Sequence, residues 1–288
     1  MSPIPRVGLV IRPEWPPERL RDYAVAAEAA GLDDIWLWED CFLLGGAASS
    51  AAVLAATSSV RVGLGLMPAP LRNPALAAME IATLTRLFPG RFVPAAGHGV
   101  LSWMEQVGSA VASPLGLLRE WVTVLRALLH GETVTFSGRY VRLDKVALDW
   151  PPLLPVPLLV GARGPKTLAL AGELADGLVL DASMTAPVLR QAVAQAAAQR
   201  PFEVVAYLPA GGAPGSAERI QAQLGSPADP VAERAALGTP AEVAAAIRRF
   251  AEAGATTVAL QPTADDPDPE GTIALAGAAR AELRVLGI

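Results

Sequence analysis

Short apolar runs and helix-type segments alternate eight times along this chain, and that rhythm limits the architectures open to it more than any single motif does. The apolar runs are Val7–Ile11, Ile35–Trp38, Val60–Leu66, Phe92–Ala96, Leu158–Val160, Leu178–Leu180, Phe202–Leu208 and Thr257–Leu260. Helical patterns follow them at 16–31, 47–57, 74–87, 113–129, 165–175, 186–199, a broken region ending in 241–253, and 271–285. Prolines stand at several of these helix starts and glycines just past several ends, the positions where each residue is least costly. AAEAAGLDDIWL and FAEAGATTVAL echo each other, both leaving a helix through glycine and re-entering a strand. Short strands separated by helices predict a parallel sheet covered by helices. Eight such units predict a (β/α)8 TIM barrel, with residues 1–288 as one domain. An open doubly wound sheet would open on a glycine-rich turn, whereas the first turn here is Arg12-Pro13-Glu14. The segment 131–155 breaks the rhythm. ETVTFSGRYVRL reads as a hairpin turning at Ser137-Gly138, and DWPPLLPVP as an extended return, an excursion between helix four and strand five.

Composition narrows the function classes. A formal net charge of -5 argues against nucleic acid or an anionic membrane as partner, since both reward clustered Lys and Arg. Cys41 is the single cysteine, so no intrachain disulfide forms and nothing marks an oxidising compartment. The first apolar run is too short for a signal peptide, and no stretch approaches the roughly 18 apolar residues of a membrane helix. The expectation is a cytoplasmic protein acting on a small molecule.

On a (β/α)8 barrel the loops at the C-terminal ends of the strands build the active site. Those loops hold Trp38, Glu39, Asp40 and Cys41 after strand two, Gly65 to Arg72 after strand three, and Gly97 to Trp103 after strand four. They continue with Gly161 to Lys166 after strand five, Asp181, Tyr207 and Gln261. Two histidines and one cysteine do not make a zinc site without unusual carboxylate help, so no metal is expected. Neither G-x-S-x-G nor a Walker loop is present. The two lysines are poorly placed for a Schiff base, Lys145 in the excursion and Lys166 in the first turn of a helix. The stretch GARGPK suits an anion: its glycines let backbone N–H groups approach closely, Pro165 fits the first helical position, and Arg163 and Lys166 add charge. The same glycines and proline also serve any chain that merely turns there.

Six ordered stretches carry a family resemblance: DDIWLWED, VRVGLGLMPAPLRNPALAAMEIATL, GRFVPAAGHG, GETVTFSGRYVRL, PLLVGARGPKTLALAGELADG and GTPAEVAAAIRRFAEAGATTVAL. Together they resemble the bacterial luciferase-like superfamily of flavin-dependent oxidoreductases, over nearly the whole chain, and most of all its deazaflavin (coenzyme F420) branch. The resemblance implies a flavin or deazaflavin oxidoreductase that moves a hydride between cofactor and a small organic substrate. With FMN in place of coenzyme F420, the alternative is a reduced-FMN monooxygenase. A non-catalytic flavin-binding barrel is a further alternative.

The resemblance also implies site residues. Gly65, Leu66 and Met67 match the strand-three end, where relatives often hold a non-prolyl cis peptide against the cofactor ring. Gly97, His98 and Gly99 match a glycine-rich turn near the cofactor, and Gly161, Ala162, Arg163, Gly164, Pro165 and Lys166 the loop that holds its phosphate. After strand two, relatives commonly read W-x-x-D-H; here Glu39 takes the Asp position and Asp40 the His position, and either exchanges a proton if burial raises its pKa. His98 is a third acid–base candidate. Val100 replaces a glutamate of the sugar-phosphate-oxidising relatives, which weakens that specific activity, while Trp103 and Met104 suggest an apolar substrate wall. Relatives are often dimers, which points to the helices after strands two and three as a homodimer contact.

Overall fold

The computed structural model describes residues 4–225 and 230–285. Eight parallel strands close into a barrel: Arg6–Val10, Asp34–Leu37, Arg61–Pro68, Phe92–Gly97, Leu159–Gly161, Gly177–Leu180, Glu203–Gly211 and Thr257–Gln261. We number these barrel strands one to eight. Strand one pairs with strands two and eight, and strand six pairs with strand seven, Gly177 lying opposite Glu203 and Leu180 opposite Ala206. Strands two, four, six and eight are buried at every position, because helices cover one face and the barrel interior the other. That is why these strands read as unbroken apolar runs.

The main core lies between strands and helices, and a second cluster fills the barrel with Val10, Trp36, Val93, Leu159, Val205 and Tyr207 among others. Trp36 is large enough to dictate its neighbours. A Cβ at Gly63 would lie 2.4 Å from its ring, so only glycine fits beside the indole. Charge closes the N-terminal end of the barrel. Buried Asp34 accepts from Arg6 and Arg61, and Arg61 also reaches Glu203 at 2.7 Å, so four strand-starting residues form one paired network.

The expected units all form, with strand ends shifted by up to three residues, and the differences have physical causes. The hairpin Val134–Ser137 with Arg142–Val146 turns later than Ser137-Gly138, because Ser137 pairs with Arg142. Glu120, on helix Pro114–Leu129, accepts hydrogen bonds from the backbone N–H groups of Arg139, Tyr140 and Val141, a tertiary hold that local turn chemistry does not reveal. Helix Ala186–Ala196 stops short of Gln199, with Ala197 in the left-handed region. The loop after strand four contains helix Leu101–Gln106, and the segment after strand seven contains Ser216–Leu224, Val231–Arg234 and the short strand Ala236–Leu237. No helix among the described residues is long and apolar enough to cross a membrane.

Glu28 shows how one side chain positions a loop. Its carboxylate accepts from the backbone N–H groups of Ser58, Ser59 and Val60 just before strand three. Burial raises its pKa, but these donors and the Ser59 hydroxyl outweigh burial and bring it from 4.5 to about 2. A depressed folded pKa contributes stability above pH 4.5 that is lost as pH falls towards 2. Glu28→Gln should therefore melt below the wild type at about pH 7, with the gap narrowing as the pH falls from 4.5 to about 2. A pH-independent gap in thermal melts would show that the charge is not the cause.

Candidate active site

A cavity of about 660 Å³ opens at the C-terminal end of the barrel, and every strand-and-loop unit except the first contributes strand-end or loop residues to its wall. Its floor is the end of strand three. The register with strand four shifts between Leu64 and Met67, and the Gly65–Leu66 peptide is cis, as is Cys41–Phe42. Tyr207, buried on strand seven, donates its hydroxyl to the Gly65 carbonyl at 2.9 Å, and burial raises its pKa well above the ordinary value. The Leu66 side chain lies between two glycines: a Cβ at Gly97 or at Gly161 would come within 2.3 Å of Leu66 Cδ2. These two glycines make room for Leu66, a packing role that the sequence does not display. Gly99 has φ +68, a left-handed conformation that favours glycine.

The acidic candidates have different fates. Glu39 is gripped by Arg72 through two contacts of 2.6 and 2.9 Å, so its carboxylate is committed to an ion pair. Asp40 accepts from the Trp38 indole N–H at 2.8 Å, and its pKa is raised chiefly by burial, with the Trp38 hydrogen bond opposing and Glu14 adding to it. Trp38 is itself covered by the Arg12 guanidinium, 4.9 Å from the ring centroid, and Arg12 is tied to Glu14. His98 stands in the cavity wall with Nε2 3.0 Å from the Thr167 hydroxyl; burial lowers its pKa, so the neutral ring prevails at neutral pH.

The loop after strand five divides. Gly161, Ala162 and Arg163 line the cavity, while Gly164, Pro165 and Lys166 are exposed beyond it at the start of helix Pro165–Leu174. Gly164 caps that helix without a side-chain hydrogen bond; Pro165 has no N–H and the Thr167 N–H donates to the Gly164 carbonyl at 3.0 Å, so in the first turn the Lys166 N–H is the one left for an anion. Arg163 is already paired with Asp181 at 2.6 Å. Met67 does not line the cavity: it is 1% exposed and packs into the core between strands and helices, because the side chain after Leu66 points to the opposite side of the strand. Gln223, Leu224 and Arg234, from the segment after strand seven, also line the cavity, and sequence reading misses them. Nothing in the local pattern marks them, since only the return of that segment over the barrel mouth brings them in. Among the described residues no cluster suits a metal ion.

A model of the luciferase-like monooxygenase family matches residues 6–218. The chain belongs to that family. Among its relatives, the 5,10-methylenetetrahydromethanopterin reductase of Methanolobus tindarius is 32% identical over 177 residues, covering 61% of this chain and 54% of the relative. The F420-dependent glucose-6-phosphate dehydrogenase of Nakamurella multipartita is 34% identical over 186 residues, covering 58% of this chain and 52% of the relative. The chain thus spans about half the length of the curated relatives it matches. Among solved structures, an F420-dependent secondary alcohol dehydrogenase in complex with an F420–acetone adduct superposes with a TM-score of 0.82 at 24% identity, covering 96% of this chain and 99% of that one. The monooxygenase RslO1 from Streptomyces bottropensis gives 0.81 at 20% identity, covering 94% and 97%. Both likenesses establish the (β/α)8 fold of this family member.

The fit around Leu66 leads to a direct test. Gly97→Ala should destabilise the protein by about 1 to 3 kcal/mol through overpacking, and Leu66→Ala in the same chain should recover part of that loss. Additive losses in denaturant melts would show that the two side chains do not compete for one space.

Proposed function

We propose that this protein is an oxidoreductase that binds the deazaflavin coenzyme F420 and transfers a hydride between it and a small organic substrate. The observation that carries this reading is the meeting, in one cavity, of the Gly65–Leu66 bulge with the loop at the start of helix Pro165–Leu174. The cavity suits such a coenzyme: Leu66 offers an apolar support for a flat ring, and Arg163 in the wall, with the Lys166 N–H at the helix start just beyond it, offers donors for a phosphate. When bound, coenzyme F420 supplies the hydride chemistry. Gly65, Leu66, Gly97 and Gly99 shape the ring site, and Gly161 to Lys166 receive the phosphate, with Arg163 released from Asp181 to do so. His98 positions that loop through Thr167.

Asp40 is the group we assign to proton exchange with the substrate. It lines the cavity, its carboxyl is in no ion pair among the described residues, and burial favours its protonated form. Glu39 holds Arg72 and the strand-two loop in place. The chain works in the cytoplasm, and it does so as a homodimer; the dimer reading is supported by the exposed Leu76, Met79 and Leu87 on helix Pro74–Leu87. The second reading, a reduced-FMN monooxygenase, is favoured by the superposition on RslO1.

The test is anaerobic reoxidation of reduced coenzyme F420 with a panel of aldehydes, ketones and enones. Turnover without oxygen supports hydride transfer; turnover only with reduced FMN and oxygen would replace it with monooxygenation. Asp40→Asn should lower kcat by about 10²-fold or more while leaving coenzyme affinity unchanged. In the reducing direction kcat should fall as pH rises through the raised Asp40 pKa, and a profile identical in Asp40→Asn would remove Asp40 from the proton path.

A further inference from the structure

Arg234 ends the short helix Val231–Arg234 and lines the cavity while only 5% exposed. Among the described residues its Nε and Nη1 have no hydrogen-bond partner, and Nη2 reaches only the Ser183 carbonyl, at 3.5 Å. The other arginines around the site are neutralised: Arg163 by Asp181, Arg72 by Glu39, and Arg12 by Glu14. A guanidinium buried without a counter-charge is unfavourable, and it is retained at a cavity wall most readily where an anion arrives to pair with it.

We infer that Arg234 is an anion subsite of this cavity, and that it takes the carboxylate of a small, otherwise apolar substrate. Three observations choose a carboxylate over a phosphate. Among the described residues Arg234 supplies one unpaired positive charge, enough to balance a monoanion. Asp181 lines the same wall and joins Ser183, whose carbonyl faces Arg234, so a second negative charge there would meet a carboxylate and find no second free cation among the described residues. The remaining wall includes Trp38, Leu66, Trp103 and Leu224, which suit an apolar body. Gln223, on the same segment as Leu224, adds an amide donor to the wall beside them. That the anion is a substrate rests on the proposed oxidoreductase reading; the anion subsite does not.

The test is calorimetric titration of the full chain with benzoate, its neutral analogue benzamide, and inorganic phosphate, in wild type, Arg234→Gln and Arg234→Lys. Benzoate should bind about ten-fold or more tightly than benzamide to the wild type, as expected for a charge-assisted hydrogen bond. Arg234→Gln should bring that ratio to about one, and Arg234→Lys should retain part of it. Equal binding of benzoate and benzamide, an undiminished ratio in Arg234→Gln, or a preference for phosphate would overturn the proposal. Coenzyme F420 affinity, titrated separately, should not change in Arg234→Gln; a loss matching that for benzoate would move Arg234 to the coenzyme and overturn the substrate assignment. If the coenzyme does not bind at all while the benzoate preference holds, the oxidoreductase reading fails and the anion subsite stands. Without ligand, Arg234→Met should melt no lower than the wild type, because a buried charge with no counter-ion among the described residues is gone; a marked fall would make the guanidinium a structural element and overturn its role as a subsite.

Discussion

The hydrogen bond from Tyr207 to the Gly65 carbonyl crosses the barrel and joins strand seven to the end of strand three, and the candidate site is arranged around it. A buried phenol needs an acceptor, and here the acceptor is the backbone immediately before Leu66. With that carbonyl held, Leu66 projects between Gly97 and Gly161, and the floor of the cavity is set by packing on both sides. Tyr207 also packs against Trp36 and Trp38, so the same ring links the barrel interior to the wall that carries Asp40.

Charge is distributed along the barrel axis with a clear division of labour. At the N-terminal end Asp34, Arg6, Arg61 and Glu203 neutralise one another and seal the interior. At the C-terminal end pairing is incomplete: Asp40 leans on an indole N–H, and Arg234 has no counter-ion among the described residues. Buried polar groups that are satisfied contribute to the fold, while those left open at a cavity are free to meet a ligand.

The barrel is legible in the sequence because parallel strands covered on both faces must read as apolar runs, and helices between them must carry their own starts and stops. The cis peptide expected at Gly65–Leu66 is present, and most cavity residues come from the loops that strand order picks out. What the sequence conceals depends on contacts between distant segments and on the direction of single side chains. Met67, which the family pattern sets beside the cofactor, belongs to the core, because strand alternation turns it away from Leu66. Glu39 and Asp40 read alike in sequence, and it is Arg72, 33 residues from Glu39, that separates their roles. Arg234 lies in a segment with no marked motif, and its significance comes only from where the chain returns over the cavity.

Occupancy of the cavity by a deazaflavin coenzyme is tested most directly by a pair of equilibrium titrations of the purified protein, with coenzyme F420 and with FMN, followed by fluorescence. The predicted result is saturable one-to-one binding of coenzyme F420, with FMN binding clearly weaker. Tighter binding of FMN, or binding of neither, would contradict it.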